Sequence, residues 1–253
     1  MNQYIEYHEH NGYGTIFINR FDKRNAISQS MAAEMLRVLQ EVKDHPIKFL
    51  LVKSAGDHVF CSGGDLNDFH SDLQGDEAYD MLSTMKQVLY QIVAFPVPTI
   101  CFLQGNALGG GCELATACDI RIAKEGAKFG FVQTSLGILP GWGGGALLYE
   151  KVHPSFAFHW ITEANVYGAQ MLQDKGWLHH VIAAENWVDE EEALEKYTSK
   201  SLDQMHYLKS QYIEALSLPT LFEKMEKEST RSASLWSSDE HQRMVQNFFN
   251  RQV

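Results

Sequence analysis

Two hydrophobic periods alternate along the first half of the chain. Short β-rich runs at residues 4–8 and 15–19 flank Asn11-Gly12, a pair typical of a hairpin turn. After Ser28, an N-cap residue type, apolar side chains recur at helical spacing through Val42. The same patterns predict strands at 48–53, 97–103 and 120–123, helices at 76–94 and 112–117, and a glycine-rich turn at 105–111. This alternation predicts an α/β core with short crossovers.

Helical periodicity dominates after about Lys151. The predicted helices cover 155–162, 169–175, 187–197, 202–216, 221–234 and 239–250, with a short strand at 180–183. The pattern thus gives an α/β core followed by a mostly helical tail of roughly a hundred residues, and we set the domain boundary at residue 190, with the core over residues 1–190 and a C-terminal helical region over residues 191–253.

Composition narrows the classes of partner. Of the 253 residues, 45% are hydrophobic and 21% charged, which is ordinary for a globular protein, and the formal net charge is -11. An acidic balance argues against nucleic acid or an anionic membrane as partner, although a local basic cluster could still bind a small anion. The four cysteines lack zinc-site spacing, so we expect no metal and a reducing compartment. No segment has the pattern of a signal peptide or a membrane helix, and we expect a cytoplasmic location.

Two glycine-rich segments are the candidates for chemistry. Residues 60–65 (FCSGGD) follow a strand pattern, and paired glycines there would let the backbone approach a ligand, or simply form a tight turn. Residues 105–114 (GNALGGGCEL) follow a strand and open a helix, whose first N–H groups have no intrahelical partner and attract negative charge. Glu113 sits near that helix start, where a solvated glutamate is common. The spacing fits neither GxGxxG nor a P-loop.

Together, FCSGGDL and GNALGGGCELATACDIRIA resemble the crotonase (enoyl-CoA hydratase/isomerase) superfamily. The resemblance continues through Asn25-Ala26-Ile27, Lys128-Phe129-Gly130, residues 136–144 and residues 239–248, and so spans nearly the whole chain. It implies a spiral of repeated ββα units followed by a helical trimerisation region. It also implies a homotrimer or dimer of trimers that acts on acyl-CoA thioesters, with coenzyme A as part of the substrate and no further cofactor.

The resemblance also implies roles for individual residues. The amides of Gly64 and Gly110 would form an oxyanion hole for the thioester oxygen, and Glu113 would act as acid or base. A second hydratase glutamate is replaced by Gln133, whose amide is nearly isosteric but cannot exchange a proton at neutral pH. Residues 143–148 (GGGALL), interpreted as a turn, lack the Thr-Gln-Arg usual in the family.

Three functions remain open on this basis. The first is an enoyl-CoA hydratase in which Asp68 or a water replaces the second glutamate. The second is an enoyl-CoA isomerase or an acyl-CoA decarboxylase, which needs fewer than two carboxylates. The third is an acyl-CoA-binding paralogue of low activity.

Several residues are further candidates for contacts with the substrate. Lys23 and Arg24 lie in a loop that in the family is near the CoA phosphates, although a solvated loop is an alternative. Trp142 would line the acyl pocket or pack in the core, and Phe248 and Arg251 would cover the adenine end or pack on a helix. The remaining candidates belong to the matched motifs: Ala26, Ser62, Asp65 and Leu66.

Overall fold

A repeated ββα unit organises the chain in the computed structural model, which describes residues 4–65, 75–187 and 190–250, without the side chains of 248 and 249. The first two units contain β1 (Ile5–His10), β2 (Tyr13–Ile18) and α1 (Gln29–Val42), then β3 (Leu50–Ser54), β4 (Val59–Cys61) and α2 (Gly75–Val93). The next two contain β5 (Thr99–Leu103), β6 (Asn106–Leu108) and α3 (Gly110–Ala117), then β7 (Ile120–Lys124), β8 (Lys128–Gly130) and α4 (Gly144–Lys151).

The strands form two sheets. A six-stranded sheet has the order β1-β2-β3-β5-β7-β10, and a four-stranded sheet has the order β4-β6-β8-β9, where β9 is Tyr167–Gly168 and β10 is His180–Ile182. Pairing is parallel except between β1 and β2 and between β8 and β9. From the second unit on, each unit therefore gives one strand to each sheet before its helix, which builds a spiral.

The local predictions for the first unit are confirmed. Asn11 and Gly12 both have positive φ, +50° and +78°, and join the antiparallel strands β1 and β2. Such a turn matches the twist of the strands that it connects. The side chain of Ser28 accepts a hydrogen bond from the N–H of Met31 at 3.2 Å and caps α1.

The main core lies between the six-stranded sheet and the helices α1 and α2. Met35 and Leu39 of α1 and Met85 and Leu89 of α2 are fully buried, as their helical spacing requires. Burying a side chain of this size contributes roughly 1.5–3 kcal/mol.

Further helices follow α4, and strands β9 and β10 lie among them in the chain. The helices are α5 (Pro154–Glu163), α6 (Ala169–Asp174), α7 (Glu190–Thr198), α8 (Leu202–Leu216), α9 (Leu218–Trp236) and α10 (Asp239–Asn250). The predicted bounds of α8 and α10 are confirmed, and α9 is longer than predicted at both ends. The division at residue 190 stays a prediction. Within the described residues no helix is long and apolar enough to cross a bilayer.

Two predictions for the core need correction. Residues 105–111, predicted as a turn, contain strand β6 and the start of α3, and residues 143–148, interpreted as a turn, contain the first residues of α4. Strands β4, β6 and β8 have three residues each, too few for a period of two to be visible. The helix α4 begins with two glycines, which have low helix propensity, so its pattern gives no helix signal.

Candidate active site

Three strands of the smaller sheet end at one edge and bring the predicted motifs together. Because β4 pairs with β6, and β6 with β8, all in parallel, their carboxyl ends face the same way. Gly63-Gly64 follows β4, Gly109-Gly110 follows β6, and Gln133 follows β8. A Cβ added at Gly63 would lie 3.4 Å from the N atom of Gly110, so the first two loops touch.

The two glycine amides proposed from the sequence are unpaired within the described residues. Ile27 bridges the first loop: its N–H donates to Gly63 O, and its carbonyl accepts from Asp65 N–H, both at 2.9 Å. In a parallel bridge of this pattern the N–H of the central residue, Gly64, points away from Ile27. Gly110 is the first residue of α3, where an N–H has no intrahelical acceptor. Both glycines line one cavity.

Glu113 is buried and held by three donors. Its Oε1 accepts the N–H of Trp142 at 2.9 Å and of Gly144 at 3.0 Å, and its Oε2 accepts Nε2 of Gln133 at 2.8 Å. The residue is 2% exposed. Burial raises the pKa of Glu113 to about 7, although these hydrogen bonds lower it in part. A carboxyl group with this pKa can both accept and donate a proton near neutral pH.

Gln133 contacts Glu113 directly and leaves one acceptor unused. It lies in a 3-10 turn after β8 and is 7% exposed. Its Nε2 donates to Glu113, while its buried Oε1 has no hydrogen-bond partner in the described structure. A buried acceptor without a donor is costly, and it lines the same cavity as the two glycines. Gln133 can therefore orient Glu113 and accept a hydrogen bond from a bound molecule.

The cavity is mainly apolar and encloses about 170 Å³. Trp142 forms part of its wall: a Cβ added at Gly110 would lie 2.3 Å from two atoms of the Trp142 ring. Trp142 is also 4% exposed and belongs to the main core, so it both lines this cavity and packs in the core. The remaining lining residues are Ser62, Gly63, Leu82, Leu108, Gly109, Val132, Leu136, Ile138, Leu139, Gly141 and Trp236.

The start of α4 binds the carboxylate of Glu113, and this contact requires a glycine at position 144. A Cβ added at Gly144 would lie 2.3 Å from both Cβ and Cγ of Glu113. The carboxylate can reach the N–H of residue 144 only because no side chain stands between them. Although residues 143–148 lack the Thr-Gln-Arg usual in the family, they still contain the start of a helix, and its N–H at Gly144 binds Glu113.

We expect Gly144→Ala to destabilise the protein by about 1–3 kcal/mol, since the new methyl group must displace Glu113 or the backbone of α4. Thermal unfolding followed by circular dichroism would measure this. Gly75→Ala is the matched control, because Gly75 is also the first residue of a helix and a Cβ there meets nothing within 4 Å, so it should not lower the midpoint. An unchanged midpoint for Gly144→Ala would contradict the close contact.

Other predicted substrate contacts lie outside the described lining of this cavity. Lys23 and Arg24 are exposed in the loop before α1. Ala26 is buried, and its carbonyl accepts Nη1 of Arg20 at 3.0 Å. Asp65 is 7% exposed and pairs with Nη2 of the same arginine at 2.7 Å, so it links the first glycine loop to the loop before α1. Their predicted roles in CoA binding remain predictions.

Three predicted residues, Leu66, Asp68 and Arg251, lie outside the described residues. For Phe248 only the backbone is described, within α10.

One residue near the site was missed by the sequence analysis. Glu228 of α9 binds the start of α4 through the N–H groups of Gly145 and Ala146.

The fold and the site define a class: an α/β spiral of ββα units in which two glycine loops and one buried carboxylate border an apolar cavity. A family model described as enoyl-CoA hydratase/isomerase matches residues 8–253. The chain belongs to the enoyl-CoA hydratase/isomerase family, and the resemblance to the crotonase superfamily is confirmed.

Related proteins differ in the reaction that their names state. A mouse mitochondrial methylglutaconyl-CoA hydratase is 35% identical over 175 residues, 69% of this chain and 55% of that protein. A chicken ethylmalonyl-CoA decarboxylase is 34% identical over 158 residues, 62% of this chain and 53% of that protein. An enoyl-CoA isomerase/hydratase of Mycosarcoma maydis is 34% identical over 175 residues, 66% of this chain and 64% of that protein. The chain spans about half the length of the mouse and chicken relatives.

Solved structures share the fold over nearly the full chain. An enoyl-CoA hydratase from Bacillus halodurans superposes with a TM-score of 0.87 at 19% identity, covering 97% of this chain and 100% of that one. One from Bacillus anthracis has a TM-score of 0.79 at 25% identity, covering 98% and 97%. The predicted crotonase-like fold class is therefore confirmed.

Proposed function

We propose that the protein is an acyl-CoA enzyme that forms a thioester enolate and moves one proton with Glu113, as in the shift of a double bond from the 3- to the 2-position of an enoyl-CoA. The amides of Gly64 and Gly110 bind the thioester oxygen. Each fixed donor to a developing oxyanion contributes about 3 kcal/mol to the stability of the transition state.

One observation carries this proposal. Among the described residues that line the cavity, Glu113 is the one side chain that titrates near neutral pH, and its neighbour is the amide of Gln133. Hydration by two carboxylates needs a second group that exchanges a proton. A double-bond shift needs one base that removes a proton from C2 and returns it to C4. A carboxyl group with a pKa of about 7 suits both steps.

Decarboxylation is a second candidate because a relative is named ethylmalonyl-CoA decarboxylase. Loss of CO₂ from a malonyl-type thioester leaves the same enolate, and the proton of Glu113 would then be delivered to C2. An apolar cavity favours this step, since a carboxylate is less stable there than the neutral CO₂ that leaves.

A three-substrate comparison tests the proposal. Purified protein is incubated with 3-hexenoyl-CoA, ethylmalonyl-CoA and crotonyl-CoA. Isomerisation leaves the mass unchanged and is followed by chromatography and by the absorbance of the conjugated thioester, whereas loss of CO₂ and addition of water are followed by mass spectrometry. We expect conversion of 3-hexenoyl-CoA, while conversion of ethylmalonyl-CoA alone would favour the second candidate. Rapid hydration of crotonyl-CoA would contradict a one-carboxylate mechanism and direct attention to Asp68, through Asp68→Asn. Turnover of none of them would favour the acyl-CoA-binding paralogue.

The isomerisation rate should depend on the ionisation of Glu113. Because burial raises the pKa of this group to about 7, the base is protonated and inactive in acid and becomes active as the pH rises through 7. We expect kcat/KM to rise about tenfold per pH unit below pH 6 and to level off above pH 8. A profile that is flat between pH 5 and 8 would contradict the assignment of Glu113 as the base.

The assembly and the location stay predictions. A homotrimer or dimer of trimers and a cytoplasmic setting are what the resemblance and the composition imply. Analytical ultracentrifugation of the purified chain would measure the first.

A further inference from the structure

Two carboxylates from different helices share the N-terminus of α4. Oε1 of Glu228 accepts the N–H of Gly145 at 3.1 Å, and its Oε2 accepts the N–H of Ala146 at 2.5 Å. The preceding N–H, that of Gly144, is bound by Glu113 at 3.0 Å. The first three amides of α4, which no backbone acceptor within the helix can bind, are therefore all paired with a glutamate.

The sequence of α9 directs Glu228 toward this helix start. Glu228 follows the buried residues Leu221 and Met225 by seven and three positions, so it lies on the inward face of α9. A Cβ added at Gly145 would lie 2.6 Å from Oε2 of Glu228. Each of these two consecutive glycines thus leaves room for one carboxylate beside the backbone, Gly144 for that of Glu113 and Gly145 for that of Glu228.

We propose that Glu228 is a positioning residue for Glu113: by holding the amides of Gly145 and Ala146 it fixes the start of α4, whose Gly144 N–H binds Glu113, and so sets the pH range in which Glu113 acts as a base. This inference rests on the proposed role of Glu113. Glu228 itself need not touch a substrate, and it is absent from the described lining of the cavity.

Electrostatics gives the direction of the effect. Burial and the charge of Glu113 raise the pKa of Glu228 well above its ordinary value, while the amides of Gly145 and Ala146 oppose this rise. Both oxygens of Glu228 accept hydrogen bonds and so hold the start of α4. The N–H of Gly144 at this helix start lowers the pKa of Glu113, so loosening the helix start should weaken that bond and make Glu113 ionise at higher pH.

Among the described residues, the other titratable groups near Glu228 do not accept hydrogen bonds from the amides of Gly145 and Ala146. Tyr149 of α4 faces it, and burial together with the charge of Glu228 raises the pKa of that phenol. Lys227 and Arg231 of α9 are exposed to solvent. The remaining charged neighbours on α9 are paired with other side chains: Lys224 with Glu150, and Glu226 with Lys86.

The test measures the titration of Glu113 itself, with or without turnover. Glutamate labelled with ¹³C at Cδ is incorporated, and the resonance of Glu113 is identified by its loss in Glu113→Gln. We expect Glu228→Gln, which keeps the shape of the side chain but offers one acceptor oxygen instead of two, to raise the titration midpoint of Glu113 by about one pH unit. Glu223→Gln removes a charge from an exposed position of the same helix and should leave the midpoint unchanged.

A conservative variant guards against a failure to fold. Glu228→Asp keeps two acceptor oxygens, and its Glu113 midpoint should stay closer to that of the wild type than to that of Glu228→Gln. Equal midpoints in the wild type, Glu228→Gln and Glu228→Asp would overturn the inference. A shifted midpoint in a protein that turns over no acyl-CoA would support it while contradicting the proposed function. With turnover, the acidic limb of the kcat/KM profile should move by the same amount as the midpoint.

Discussion

Glu113→Gln is expected to reduce the isomerisation of 3-hexenoyl-CoA by about 10³-fold, with little change in the affinity for the acyl-CoA. The amide is nearly isosteric and remains able to accept from Trp142 or Gly144, but it cannot take up a proton. Loss of a general base typically costs about 10²–10⁴-fold in rate. Initial rates from the absorbance of the conjugated product, together with calorimetric binding of butyryl-CoA, would measure both effects.

Glu223→Gln is the matched control for this prediction, because it makes the same chemical change at an exposed site. It should retain the wild-type rate. If Glu113→Gln kept more than a tenth of the wild-type activity while Glu223→Gln behaved as expected, the base would have to be another group.

Gln133→Glu is expected to give the protein measurable hydration of crotonyl-CoA, about 10²-fold above the wild type. The new carboxyl group would stand about where Nε2 of Gln133 lies, 2.8 Å from Oε2 of Glu113. Two carboxylates at this separation cannot both ionise, so one would keep a proton and act as acid while the other acts as base. The loss of absorbance of the conjugated thioester would follow the reaction.

The double variant Glu113→Gln with Gln133→Glu is the control. It has one carboxylate and one amide again, in exchanged positions, and should lose the gained hydration. A folded Gln133→Glu protein that hydrates no faster than the wild type would contradict the view that Gln133 alone prevents the two-carboxylate reaction.

The glycine motifs that border the cavity are visible in the chain, but the roles of Gly64, Gly110 and Glu113 and the importance of Gln133 were implied only by the family resemblance. Gly64, Gly110, Glu113 and Gln133 lie together at one end of the smaller sheet. Their mutual distances could not be predicted, since they depend on three-residue strands that leave no periodic signal. The hairpin at Asn11-Gly12 and the cap at Ser28 were predictable because both are set by local chemistry.

Glu228 shows where prediction from the sequence ends. Its position on the buried face of α9 was the available signal, because a charge in register with Leu221 and Met225 requires a partner inside the protein. The partner itself is a set of backbone amides on α4, more than eighty residues earlier in the chain. Since helix α4 begins with glycines and was interpreted as a turn, no pattern indicated that a helix start would be there.

Exchange of the C2 protons of butyryl-CoA for deuterium tests the central claim most directly, since it reports formation of the thioester enolate whatever the natural reaction is. The protein is incubated with butyryl-CoA in D₂O, and the mass of the thioester is followed with time. The account predicts deuterium incorporation in the wild type that increases as the pD rises through about 7 and is lost in Glu113→Gln. Incorporation no faster than in buffer, or equally fast in Glu113→Gln, would contradict it.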